Sequence, residues 1–263
     1  MNRITGAYAI STTLGESVRA FVPHALPPLE PSLSSSAYLD LNRKAEIALA
    51  RLAGVSGLVP SVDWLLYSAI RKEALLTSQI EGTQATLTDL FDEEAGFKVS
   101  NTDDVEEVTN YLRAFRCVQE QLRDPKGLPI SVRLLCDAHR LLLNGARGAG
   151  KQPGELRRSQ NWIGGTRPGN AEFVPPPPER VSDLLADMER FIHDAATDLP
   201  PLVKVALIHA QFETIHPFLD GNGRIGRLLI AALFEHWGLL REPLMYLSGY
   251  LKQHQSTYYH WLP

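Results

Sequence analysis

The stretch HPFLDGNGRIGR, residues 216–227, gathers one histidine, one acid, one asparagine, two arginines and three glycines into twelve positions. His216 can take up a proton near neutral pH, which makes it a candidate general base. Asp220 offers a carboxylate, and Mg²⁺ favours one or two carboxylates together with phosphate oxygens. Gly221, Gly223 and Gly226 let successive backbone N–H groups turn inward, and the adjoining run IGRLLIAALF reads as helix. Free N–H groups at a helix N-terminus form a cradle for phosphate. Arg224 and Arg227 lie three apart near that positive end, an unfavourable place for two cations unless an anion joins them. Base, metal carboxylate, anion nest and charge clamp are the parts that phosphoryl-type transfer needs.

Such a turn needs rigid posts. The run before it, LVKVALIHAQFETI, is apolar on nearly every side, so it should pass through a core until Pro217 stops it. Apolar spacings of three and four predict further helices near 39–58, 62–80, 103–121, 132–143, 180–194, 225–237 and from 247 onward. Ser61 and Ser131 suit N-caps, and Gly82 and Gly145 suit helix ends. Residues 1–36 are rich in Pro and Ser and read as an extended or irregular lead-in. Between 145 and 178 the chain is dense in Gly and Pro; NWIG and AEFV are strand-like, which predicts a hairpin or extended flap. PPPP at 175–178 reads as a stiff return segment. No internal repeat or clear linker interrupts the chain. The fold class is mainly α, a helical bundle with a small β-hairpin flap.

At 263 residues, 44% hydrophobic and 21% charged, the chain has globular composition. A net charge of −4 argues against a surface devoted to nucleic acid or anionic membrane. Cys117 and Cys136 form no metal-binding spacing and read as reduced thiols. The N-terminus lacks the apolar run of a secretory signal, and the longest apolar run, 228–234, is too short to span a bilayer. The expected location is cytoplasmic. GARGAGKQ at 145–152 imitates a phosphate loop, but Gln152 stands where a metal-binding hydroxyl is needed and Pro153 opposes an immediate helix.

HPFLDGNGRIGR resembles the Fic-domain signature HPFx[D/E]GNGRxxR at every specified position. TSQIEG, residues 77–82, resembles the [ST]xxxE[GN] inhibitory motif of the same family; Thr77 and Glu81 lie one helical turn apart. The resemblance implies transfer of AMP from ATP to a protein hydroxyl. His216 would deprotonate the target Ser, Thr or Tyr, and Asp220 would bind Mg²⁺. Gly221, Asn222, Gly223 and Arg224 would hold phosphates, and Arg227 would grip the γ-phosphate. Glu81 would pair with Arg227 and obstruct it. Asn161, Trp162, Ile163 and Gly164 match the family's flap, and Tyr258 its adenosine-contacting tyrosine. The division implied is an N-terminal arm and inhibitory helical region over 1–100 and a catalytic core over 101–263, with a continuation beyond Pro263. Partners implied are ATP and a hydroxyl-bearing protein, which includes the chain itself, with homodimerisation open. Removal of AMP, transfer of another phosphate-linked group, and nucleotide sensing without chemistry are the rival readings.

Overall fold

The computed structural model describes residues 5–29, 32–56, 62–145, 149–240, 242–245 and 247–262. Ser61, read as an N-cap, and residues 146–148 of the false phosphate loop fall outside them. The chain opens on a β-hairpin, strand β1 (Gly6–Thr13) antiparallel to β2 (Glu16–Pro23), in register from Gly6↔Pro23 to Thr13↔Glu16. This corrects the irregular lead-in. Leu14 and Gly15 both take positive φ, at 50° and 78°, the requirement of a two-residue hairpin turn. The Pro- and Ser-rich run after Pro23 masks the alternation of Val18, Ala20 and Val22 before it.

Helices α1 (Leu39–Ser56), α2 (Val62–Ile80), α3 (Leu87–Glu94), α4 (Thr102–Arg123) and α5 (Val132–Leu142) come next. Helix α3 has no counterpart among the helices that periodicity predicts. Its start is a capping box in which Thr86 and Asp89 exchange side-chain and backbone bonds, a short signal in a polar run. Gly82, at φ 103°, lies just past the end of α2 as expected. The flap runs from 153 to 177, then come α6 (Pro178–His193), α7 (Pro201–Ile215), α8 (Asn222–His236), α9 (Leu247–Gln253) and α10 (Gln255–Trp261). Helices α6 and α7 begin on prolines, earlier than periodicity suggests, because an N1 proline loses no intrahelical bond.

Helices α7 and α8 are the central posts. Ile208, Phe212 and Ile215 of α7 and Ile225, Leu228, Leu229 and Leu233 of α8 are all inaccessible to solvent. Each such side chain contributes about 1.5–3 kcal/mol on burial. One apolar core joins α2, α4, α5, α6, α7 and α8, so the residues on both sides of position 100 share it. A second, smaller cluster of Val18, Ala20 and Val174, with Trp162 packed on it, fastens the hairpin to the flap. The flap carries a single antiparallel bridge, Ile163↔Phe173, rather than a full hairpin. The Pro175–Pro177 return segment is buried. No described helix is long and apolar enough to cross a membrane.

Candidate active site

Helix α7 ends at Ile215, and His216 closes it in the left-handed conformation, φ 49° and ψ 61°. A non-glycine residue there costs of order 1–3 kcal/mol and persists only where its surroundings fix it. The fixing group is Arg157, a buried side chain of the flap. Its Nε donates to the His216 carbonyl at 2.8 Å. Its Nη1 and Nη2 donate to the carbonyls of Ser159 at 3.1 Å, Pro176 at 2.5 Å and Ile215 at 3.3 Å. Its backbone N–H donates to the Pro217 carbonyl at 2.9 Å. Burial pulls the Arg157 pKa down to about 10, against the pull of Glu179. Burial, with the Arg157 charge adding to it, also lowers His216 to about 4, opposed by the Glu213 carbonyl, Glu81 and Asp220. The imidazole is therefore neutral at pH 7, the form a general base needs.

The turn after His216 is held from several sides. Asn222 accepts from the Phe218 N–H at 2.8 Å and donates to its carbonyl at 2.9 Å, so its side chain shapes the loop. Asn161 donates to the same carbonyl at 2.8 Å. The Phe218 ring stacks on His139 of α5, centroids 3.8 Å apart and planes 9° from parallel. His139 Nδ1 accepts from the Gly154 N–H at 2.8 Å, which leaves Nε2–H to donate to the Asp220 carbonyl at 3.1 Å. Gly221 then caps α8 in the left-handed conformation.

Asp220 and the two arginines line the start of α8. The Asp220 carboxylate, 44% exposed, accepts from the Gly221 N–H at 2.5 Å and lies 3.4 Å from Arg224 Nη2. Arg224 is buried; Nη1 pairs with Glu107 of α4 at 3.0 Å, and Nε has no hydrogen-bond partner. Arg227, only 1% exposed, donates through Nε to the Thr77 hydroxyl at 2.6 Å and through Nη2 to the Thr77 carbonyl at 3.2 Å. Its Nη2 also pairs with Glu81 just past the end of α2. A Cβ on Gly223 would meet the Glu81 carboxylate, which therefore lies directly over the first turn of α8.

Of the flap residues singled out by sequence, Asn161 reaches the catalytic turn. Trp162 packs toward the hairpin, Ile163 makes the bridge to Phe173, and Gly164, at φ 69°, lies beside Glu172. Tyr258 of α10 stacks on His209 of α7 and its hydroxyl bonds His209 Nε2 at 2.9 Å. Sequence reasoning missed Arg157, His139, His209 and Glu213. Nothing local separates Arg157 from Arg158, which is exposed and pairs with Glu155 at 3.0 Å. His139 had a weak signal, a polar residue on the apolar face of a strongly amphipathic helix. Between the hairpin, the flap and α7 lies a groove of about 880 Å³, lined by Tyr8, Phe21, Phe173, Thr214 and Trp261 among others.

Two models of one family match this chain: Fic/DOC family N-terminal over residues 39–120 and Fic/DOC family over residues 129–234. The chain belongs to the Fic/DOC family. A relative named Protein adenylyltransferase Fic, from Drosophila grimshawi, is 35% identical over 139 residues, covering 51% of this chain and 25% of that protein. Its counterpart in Drosophila melanogaster is 32% identical over 136 residues, with the same coverage of 51% and 25%. The chain thus spans about a quarter of the length of the curated relatives it matches. The fold is shared with a Fic family protein from Desulfovibrio desulfuricans G20, at a TM-score of 0.65 and 24% identity over 88% of this chain and 66% of that one. It is shared also with a Fic domain containing signaling protein from Bacteroides thetaiotaomicron, at a TM-score of 0.62 and 20% identity over 83% and 80%.

Proposed function

We propose that this chain transfers AMP from Mg-ATP to a Ser, Thr or Tyr hydroxyl of a protein, and that Glu81 holds the reaction off. The observation that carries this reading is a neutral, half-buried His216 at the head of a turn that also presents Asp220, Arg224 and Arg227. His216 accepts the proton of the acceptor hydroxyl, whose oxygen attacks the α-phosphorus. The bond from the α-phosphorus to the bridging oxygen breaks, and pyrophosphate leaves. The N–H groups of Asn222 and Gly223 in the first turn of α8, with the Arg224 guanidinium beside them, receive the negative charge of the phosphates. Arg227 receives the γ-phosphate once Glu81 has moved.

Among the described residues no group of three or more His, Cys, Asp and Glu side chains converges as metal ligands. A Mg²⁺ ion here would rest on the half-exposed Asp220 together with phosphate oxygens, the donor set this ion prefers. When bound, it would neutralise charge on the leaving pyrophosphate. The proposed place of reaction is the cytoplasm. The test compares α- with γ-labelled ATP on Glu81→Gly and on Glu81→Gly with His216→Ala, with lysate proteins as acceptors. Transfer of the α label alone, lost with His216, supports the reading; γ-label transfer, or transfer that survives the loss of His216, contradicts it.

A further inference from the structure

Glu81 meets Arg227 from a segment with little structure of its own. Helix α2 ends at Ile80, and Gly82 turns the chain away at once. The Glu81 side chain is one-third exposed, at 33%. A carboxylate that water can reach gains little from its partner unless the backbone carrying it is already held in place. The last carbonyls of a helix have no partner within it. Here the Ile80 carbonyl, which belongs to the peptide unit leading into Glu81, is met by two side chains of α10. Gln255 Nε2 donates to it at 3.1 Å and the Tyr259 hydroxyl at 3.3 Å. Gln255 Nε2 also donates to the Tyr259 oxygen at 3.3 Å, which joins the two into one clasp. The neighbouring Tyr258 fastens α10 itself to α7, through the bond between its hydroxyl and His209 at 2.9 Å. Helix α9 steadies the preceding turns of α2. The Ser248 hydroxyl and, at 3.1 Å, the Ser248 N–H donate to the Glu73 carboxyl, and Lys252 Nζ donates to Gln79 Oε1 at 2.5 Å. Gln79 Nε2 in turn donates to the Ala85 carbonyl at 2.8 Å. The backbone that carries Glu81 is thus held at Ile80 by α10 and at Ala85 by a side chain that α9 supports.

We propose that Gln255 and Tyr259 are positioning residues for Glu81: α10 holds the Ile80–Glu81 peptide and thereby sets the carboxylate against Arg227. The inhibitory device then has two parts far apart in sequence, the end of α2 that carries the acid and the C-terminal helix that aims it. The two residues act through Glu81, so their loss makes the reaction faster, whereas loss of an ordinary structural contact makes it slower. The effect on rate rests on the reading of Glu81 as the inhibitor; the holding of the peptide concerns the chain's own groups.

The test is Gln255→Ala combined with Tyr259→Phe in the full chain, read in two ways. The first is amide hydrogen exchange without nucleotide. The N–H groups of Glu81 and Thr83 bond the Ser78 carbonyl and that of Gly82 bonds the Gln79 carbonyl. Their exchange should quicken by about 3–10-fold, the worth of one or two lost hydrogen bonds, while exchange in the middle of α2 stays as it was. The second is the initial rate of α-label transfer from Mg-ATP to lysate proteins. It should rise by about 3–10-fold over the intact chain, and the same pair of substitutions should add nothing in a Glu81→Gly background. Should the double variant not fold, each single variant carries the same test with a smaller rise. Unchanged exchange at 81–83 overturns the proposal. So does a rate that stays level or falls while Glu81→Gly is faster than the intact chain, or an equal rise in both backgrounds. If Glu81→Gly is no faster than the intact chain, the inhibitory reading fails instead, and exchange alone decides whether α10 holds the peptide.

Discussion

The catalytic turn is fastened in two different ways at its two ends. At the His216 end the partners are backbone carbonyls gathered by one buried arginine, Arg157, with Asn161 and His139 holding the adjoining loop. At the Arg227 end the partners are the hydroxyl and backbone carbonyl of Thr77 in α2 and the carboxylate of Glu81 just past its end, itself 33% exposed. The first set can be undone only by moving the flap and the main chain. The second opens when Glu81 swings away. In the proposed reaction the base is therefore fixed in place, while access for a terminal phosphate is variable. A site divided in this way can be held inactive without disturbing its chemistry.

The largest break in that contrast comes at its fixed end. His216→Ala should lower AMP transfer by about 10²–10⁴-fold, the usual worth of a general base, with Tm nearly unchanged; radiolabel incorporation and a melting curve read both. Arg157→Met should act on the fold first. It leaves buried carbonyls of Pro176, Ile215 and His216 without their donor, which should cost about 3–5 kcal/mol in denaturant unfolding. Asn161→Ala removes a single bond to Phe218 and should cost about 0.5–1.5 kcal/mol, with a matching fall in transfer rate. The smallest effect is with pH. Because His216 titrates near 4, its base form is complete above about pH 5 and is lost as pH falls through 4. In a Glu81→Gly background the His216 contribution to rate should stay flat from about pH 6 to 8, and an acid limb near 6.5 in the rate profile would show the imidazole to be less buried than the geometry has it.

Legibility in the sequence divides along the same line. HPFLDGNGRIGR carries its chemistry in residue types, and the apolar runs on either side of it predict α7 and α8, so the turn and its two posts can be read directly. Thr77 and Glu81 are legible through a short motif, and the structure sets both against Arg227. The groups that hold the His216 end are not legible. Arg157 looks like its exposed neighbour Arg158, His139 looks like one more position in an amphipathic helix, and Glu213 looks like a solvent-facing acid until α8 covers it. Each acquires its role only from what packs on it over a separation of many residues. The β1–β2 hairpin and α3 were hidden for a local reason, since a two-residue turn and a four-residue capping box are short signals beside long Pro-rich and polar runs.

The central claim, that one carboxylate holds Arg227 and thereby the reaction, has a direct test. The initial rate of α-label transfer from Mg-ATP to lysate proteins is measured for the intact chain, for Glu81→Gly and for Glu81→Gly with His216→Ala. Losing a charge-assisted bond to a buried arginine is worth about 1.5–3 kcal/mol, so Glu81→Gly should be faster by roughly 10–100-fold, and the added His216→Ala should abolish the gain. Equal rates for the intact chain and Glu81→Gly, with ATP bound equally well by both, would contradict it.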